Sequence, residues 1–315
     1  MPSMRHETAL DLRARVRRAL WLAQASVADD ARAPATPEEL AAAASLSRYH
    51  FSRLFAAMTG ESPAALVRRL RLERAAGELA RTDLQVVRIA LHAGYEAHEP
   101  FTRAFTRHFG RSPSAYRAEY AGSASVEFPP APSRIHFGID DAINRFVPLM
   151  TETNPMMQVE IKQTPARRLA AMRHIGSYHD IGPVFERLYG WAAASGPLGA
   201  DTEAIGVYYD DPRAQAPETL RSDACMTCGP AFTGDEAAGV RVIELDGGDC
   251  AVSVFKGPYQ RLDEAYQWLY ANWLPTELPK LGREPAERPV YEVYLNDPQS
   301  TAPEELLTAI HVPLA

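Results

Sequence analysis

The sequence predicts a multidomain protein: an all-α N-terminal domain with two helix-turn-helix units, then an α+β antiparallel domain made of a duplicated strand-helix-strand-strand unit. Three observations predict this. The first is a repeat at an offset of 50, which brings Phe51, Arg53, Phe55, Gly60, Ser62 and Pro63 into register with Phe101, Arg103, Phe105, Gly110, Ser112 and Pro113. The second is a looser repeat at an offset of about 81, aligning Arg173 to Tyr178 with Val254 to Tyr259, each followed by a helix-period stretch. The third is a change in the sign of charge. Residues 1–122 hold 18 Arg and 13 acidic residues, net +5, whereas residues 123–315 are net −12, which together recover the −7 of the whole chain.

A chain of 315 residues with 46% hydrophobic and 23% charged content has room for a full core, and its length favours two domains. We place them at 1–121 and 158–315, with 122–157 as linker, because AGSASVEFPPAP lacks an apolar period and is rich in small residues and proline. No apolar run approaches the ~18 residues of a membrane span. Three cysteines, Cys225, Cys228 and Cys250, are too few for a disulfide framework and fit a reducing, cytoplasmic address without a membrane partner. The basic first part suits a polyanion such as double-stranded DNA, while the acidic second part is repelled by phosphate.

In the first helical copy, Thr36-Pro37-Glu38-Glu39 offers a capping box with proline at the first helical position. After a break at Ser45-Leu46-Ser47, residues Phe51, Leu54, Phe55 and Met58 recur at i, i+3, i+4, i+7 and form the core face. Arg48, Tyr49, Ser52 and Arg53 are then left outward, as a groove-reading helix requires. In the second copy, Asp83 is the expected N-cap, a turn falls at Gly94, and Phe101, Ala104 and Phe105 face inward. His98, Glu99, Thr102 and Arg103 face outward. A helix over Pro63 to Arg81 sets the separation of the copies, and about 34 Å would let one chain enter adjacent major grooves.

LSRYHFSRLFAAMTGESP and AGYEAHEPFTRAFTRHFGRSPSAYR, within about Leu10 to Tyr120, resemble the AraC family of bacterial transcription regulators. The resemblance implies base and phosphate contacts from Arg48, Tyr49, Ser52 and Arg53 in the first copy and from His98, Glu99, Thr102 and Arg103 in the second. A regulator of this kind is expected to meet RNA polymerase at a promoter, as an activator or a repressor. Glu99 departs from this picture, since a carboxylate accepts from cytosine but is repelled by phosphate.

In the second domain, Tyr178, Trp191, Tyr208, Tyr259, Trp268, Tyr291 and Tyr294 lie on elements that could line a cleft between two sheets related by a pseudo-twofold. Most aromatics are simply core, and alternation along a strand fixes only which residues share a face, not which face is open. Glu292 is more telling: it stands in a mid-strand apolar context where the other copy has Gly206, and a buried carboxylate needs a cationic or hydrogen-bonding partner. FKGPYQRLDEAYQWLYANWLP and YEVYLNDP, with SDACMTC as a weaker third, resemble the GyrI-like effector-binding domain over about Met157 to Ala315. The resemblance implies lipophilic, often cationic small molecules held between aromatic walls, with Glu292 as countercharge. Ligand contacts are therefore expected from Glu292, Tyr178, Trp191, Tyr208, Tyr259, Trp268 and Tyr294.

Cys225-Met226-Thr227-Cys228 has no second paired-ligand motif, so buried thiols are expected and no metal site. No phosphate loop, dinucleotide fingerprint or Gly-x-Ser-x-Gly elbow is present, and no cofactor is expected. The chain therefore reads as a non-enzymatic, ligand-controlled transcription regulator. The alternative makes the second domain a hydrolase or sequestering binder of toxic small molecules, with the first domain autoregulating.

Overall fold

A computed structural model of the chain describes residues 11–29, 33–123, 126–146, 148–149, 157–195 and 202–315. The chain divides into two compact units, Met1–Leu149 and Met150–Ala315.

The first unit is helical: α1 Leu12–Ala28, α2 Pro37–Ala43, α3 Arg48–Thr59, α4 Pro63–Arg81, α5 Val86–His92, α6 His98–Phe109, α7 Pro113–Tyr120 and a short α8 Asp140–Asn144. The Thr36/Glu39 capping box forms in full: Thr36 Oγ1 accepts from Glu39 N and Glu39 Oε2 accepts from Thr36 N. The Gly-x-Ser-Pro signature is a helix-to-helix corner used twice. Gly60 and Gly110 end α3 and α6 in the left-handed region, at φ 77° and 72°, where a side chain would be strained. Ser62 and Ser112 then cap α4 and α7, each accepting from a backbone N–H 3.3 Å away, and Pro63 and Pro113 occupy the first turn. Asp83, expected as an N-cap, is not one: α5 begins at Val86 behind Gln85, which makes no side-chain cap. The hydrogen bond from Leu84 N to Thr82 Oγ1 shapes the connection instead.

Long α4 is the spine, in contact with α1, α3, α5, α6 and α7. Phe101, Phe105 and Tyr116 close the core of the second copy with Leu72, Leu79 and Ile89. Part of the segment expected to be linker docks on this unit. Glu73, with no exposed surface, accepts from Arg69 Nη1 (2.7 Å) and Phe137 N (2.8 Å) and pairs with His136 Nδ1 (3.1 Å). Arg69 also donates to Ile135 O at 2.8 Å and to Glu61. A buried ion pair is tolerated only when its remaining donors and acceptors are met, and residues 133–137 meet them here. Downstream, Leu149 N donates to Met58 O, near the C-terminal end of α3.

The second unit contains β1 Val159–Thr164, β2 Arg167–Ile175, α9 Gly182–Ser195, β3 Ala204–Tyr208, β4 Arg221–Thr227, β5 Arg241–Leu245, β6 Gly248–Lys256, α10 Leu262–Trp268, a π-helical segment Leu269–Trp273, α11 Leu274–Leu281, β7 Val290–Tyr294 and β8 Leu307–Pro313. The expected duplication is β2-α9-β3-β4 followed by β6-α10-β7-β8, and every pairing is antiparallel. The expected pair of separate sheets is corrected. The order β1-β6-β8-β7-β3-β4-β2-β5 is one continuous eight-stranded sheet, because β3 and β7 pair edge to edge and satisfy each other's backbone groups.

The order is palindromic, and its centre is informative. Residues 204–208 correspond to 290–294 by a shift of 86, and the observed partners run from Ala204↔Tyr294 through Gly206↔Glu292 to Tyr208↔Val290. Gly206 and Glu292 are thus both equivalents and partners, so the pseudo-twofold axis passes between them. Alternation divides the sheet into two faces. One carries Leu169, Ile205, Val207, Cys225, Tyr291 and Val293; the other carries Ala170, Tyr208, Ala224 and Met226 beneath α9.

Candidate functional site

Glu292 lies on the helix-covered face, only 3% exposed. Its two oxygens accept from two phenols: Tyr266 on α10 to Oε1 at 2.9 Å, and Tyr294 on its own strand to Oε2 at 3.0 Å. Tyr208, on the neighbouring strand, lies 2.7 Å from Tyr294, hydroxyl to hydroxyl. Burial and the negative charge of Glu292 hold the hydroxyls of Tyr208 and Tyr294 well above the ordinary tyrosine value. Both therefore stay protonated, and the chain of phenols can end on the carboxylate.

Around this centre Tyr259 meets Tyr294 edge-on at 5.3 Å, Phe185 of α9 meets it at 5.4 Å, and Tyr178 meets Tyr208 at 4.8 Å. Tyr259 is pushed up to about 12, first by burial and then by Glu292. The Tyr178 hydroxyl is committed to the strand-end loop, donating to Asp210 O and accepting from Asp210 N, so its ring serves as wall. The structure thus brings together five of the seven expected ligand residues: Glu292, Tyr178, Tyr208, Tyr259 and Tyr294.

The other two make no hydrogen bond or ring contact with this group among the described residues. Trp191 packs against Phe232 and donates to Asp235 Oδ2 at 2.8 Å, a bond that helps hold the Asp235 carboxyl below its ordinary value. Trp268 is half-buried on α10, and among the described residues it makes no hydrogen bond or ring contact with this group. Tyr291 faces the opposite side of the sheet, stacked on His311 at 4.5 Å, because it alternates with Glu292 along β7. Tyr266 and Phe185 were not expected as site residues. Their signal was available: they are equivalents across the 81-residue repeat, on the inward stripe of each helix.

Cys225 belongs to the core of one face while Cys228 packs against the core of the other, so the two sulfurs of Cys-x-x-Cys cannot share an ion. Burial pushes both thiols up, towards the unreactive form.

In the first unit the two reading helices differ in exposure. On α6, His98, Glu99 and Arg103 are exposed and Thr102 is half-buried, with Arg103 and Glu99 only 3.8 Å apart in an open i, i+4 pair. On α3, Arg48 is exposed and pairs with Glu38 at 2.8 Å, and Tyr49 is half-buried. Ser52 and Arg53 were expected outward, and the structure corrects that: they are 5% and 9% exposed, with the Arg53 guanidinium 4.9 Å above the Tyr49 ring. Helical periodicity identifies the face turned from the bundle core, but it does not report whether that face is covered. Ala56 and Ala57, farther along the same helix, are buried too. No described helix is long and apolar enough to cross a membrane.

Comparison with known proteins agrees with this division. Residues 157–315 match a family described as a GyrI-like small molecule binding domain, and residues 40–119 match a helix-turn-helix domain. A DNA gyrase inhibitor of Edwardsiella piscicida is 34% identical over 161 residues, 50% of this chain and 98% of that protein. The RCS-specific HTH-type transcriptional activator RclR of Escherichia coli is 43% identical over 82 residues, 26% of this chain and 29% of its own length. The transcriptional regulator Rob of Salmonella typhimurium is 34% identical over 97 residues, 31% of this chain and 34% of that protein. The chain therefore belongs to the GyrI-like small-molecule-binding family and carries an AraC-type helix-turn-helix domain ahead of that module.

Proposed function

We propose that this protein is a one-component transcription regulator of the cytoplasm, in which a lipophilic cation bound over Glu292 alters how the helical unit engages double-stranded DNA. The observation that carries the reading is a carboxylate 3% exposed, braced by Tyr266 and Tyr294 and walled by further aromatic rings. Phenols lend hydrogen bonds but no positive charge, so a cation gains from the carboxylate and from the ring faces together. Each oxygen of Glu292 already accepts from a phenol hydroxyl, so neither is left uncommitted to take a proton from water. That favours holding a ligand over hydrolysing one.

For DNA, the open face of α6 is the first contact, with Arg103 on phosphate and His98 and Thr102 towards base edges, and Arg48 the exposed contribution of α3. Glu99 weakens phosphate contact beside Arg103. Ser52 and Arg53 contribute only in a conformation that uncovers them. Activation requires contact with RNA polymerase, in keeping with a relative described as an activator.

The test is fluorescence anisotropy on a labelled promoter fragment, with and without tetraphenylphosphonium. Wild type is expected to change its DNA affinity when the cation binds, and Glu292→Gln to bind DNA without that response. An identical response in both proteins, or release of a hydrolysis product from a candidate ester in wild type but not in Glu292→Gln, would overturn the reading.

A further inference from the structure

Because the pseudo-twofold axis passes between Gly206 and Glu292, whatever occupies 206 stands directly across the strand pair from the carboxylate. An acid there would set two like charges side by side on a buried sheet face, where each would oppose ionisation of the other. The chain breaks its symmetry instead: one partner is charged and the other has no side chain.

The vacated space is filled. A Cβ on Gly206 would lie 2.7 Å from Tyr294 Oη, 2.8 Å from Tyr208 Oη and 2.9 Å from Tyr208 Cε2, closer than carbon approaches such atoms. The backbone at Gly206 is not in the left-handed region, so conformation does not call for glycine there. Space does. Tyr208 and Tyr294, symmetry equivalents from the two strands that meet at the axis, reach over this residue and touch at 2.7 Å, and Tyr294 goes on to Glu292.

We propose that Gly206 is a specificity-determining residue of the effector site: its missing side chain admits the Tyr294 hydroxyl that braces Glu292 and the Tyr208 hydroxyl that touches it, and puts no second carboxylate across the strand pair, which suits a singly charged cation. This rests on the reading of Glu292 as the effector site. A methyl group at 206 drives both hydroxyls off their positions. The carboxylate then loses the donor on Oε2, and the floor of the site rises by the displaced rings.

The experiment is calorimetric titration of the full chain with tetraphenylphosphonium, as a double-mutant cycle. Gly206→Ala is expected to weaken binding by about tenfold or more, the scale of forcing one extra carbon into packed space. In a Tyr208→Phe/Tyr294→Phe background both obstructing hydroxyls are gone and the remaining close atom, Cε2 of residue 208, belongs to a ring no longer tied by its hydroxyl and free to shift, so Gly206→Ala is expected to change affinity by less than about twofold. A merely structural role would lower affinity equally in both backgrounds, and that result overturns the proposal. So does unchanged binding by Gly206→Ala alone. If Gly206→Ala does not fold, the comparison between the triple variant and Tyr208→Phe/Tyr294→Phe decides: equal affinity supports the proposal and a tenfold loss ends it. Wild type and Glu292→Gln are run alongside. If they bind the probe equally, or neither binds, the effector-site reading itself fails; if only Glu292→Gln loses binding while Gly206→Ala keeps it, the role of Gly206 alone is wrong.

Discussion

Replacing Glu292 by Gln separates what the carboxylate does for the fold from what it does for a ligand. In the fold, Glu292 is 3% exposed and accepts from Tyr266 and Tyr294. Gln keeps the shape and one acceptor oxygen, while its amide turns a donor towards one phenol, which must rotate its proton away. Charge-assisted bonds of about 1.5–3 kcal/mol become neutral ones of about 0.5–1.5 kcal/mol, but the desolvation of a buried charge is relieved by a similar amount. The ligand-free melting temperature is therefore expected to stay within a few degrees of wild type, or to rise.

For a monocation about 4 Å from the carboxylate, the attraction is about 4 kcal/mol at an effective dielectric of 20, and desolvation offsets about half of it. A net loss of about 2 kcal/mol is about a thirtyfold weaker complex. At a probe concentration 100 times the wild-type Kd, ligand stabilises wild type by about 2.7 kcal/mol and the variant by about 0.9 kcal/mol. With about 2–4 °C per kcal/mol for a unit of this size, the ligand-induced shift falls from about 5–11 °C to about 2–4 °C. Differential scanning fluorimetry with tetraphenylphosphonium reads both quantities. An undiminished shift in Glu292→Gln would refute the reasoning, whatever happens to the ligand-free protein.

Three further expectations follow from particular contacts. Arg103 stands in the open on α6, so Arg103→Ala is expected to weaken binding to all DNA sequences and lower the salt slope by about 1, measured by anisotropy over a salt series; an unchanged slope would remove Arg103 from the interface. His311 is held down to about 4, chiefly by burial, below its ordinary 6.5. The unfolded chain then binds the proton more readily, so stability is full above about pH 6.5 and declines towards pH 4, by at most about 1.4 kcal/mol per pH unit. His311→Gln should flatten urea-denaturation stability across that window, and the same acid sensitivity in the variant would rule His311 out. Glu73→Ala leaves Arg69 buried without one partner and frees Phe137 N, and is expected to destabilise the first unit by about 3–5 kcal/mol and to expose residues 126–146 to limited proteolysis; wild-type cleavage rates would count against that docking.

Local rules made much of this legible in advance. Thr36 and Glu39 form a capping box because their spacing matches the helix turn, and Gly60-x-Ser62-Pro63 is a corner because glycine, serine and proline each serve one position of it. The 81-residue repeat likewise announced a duplicated module, with Glu292 as its odd residue. Other features depend on what lies across from each side chain, which spacing does not encode. Periodicity placed Arg53 off the core face, yet it is only 9% exposed. Trp191 shares a helix with Phe185, yet Phe232 and Asp235 engage it away from Glu292. The edge-to-edge meeting of β3 and β7 put Gly206 opposite Glu292, and it follows from strand pairing between halves 86 residues apart. Residue order along the chain therefore determined most of the elements, the caps at Thr36, Ser62 and Ser112, and the presence of two repeats. Only the tertiary structure decided which aromatic rings surround the carboxylate, because that choice is made by long-range hydrogen bonds and packing.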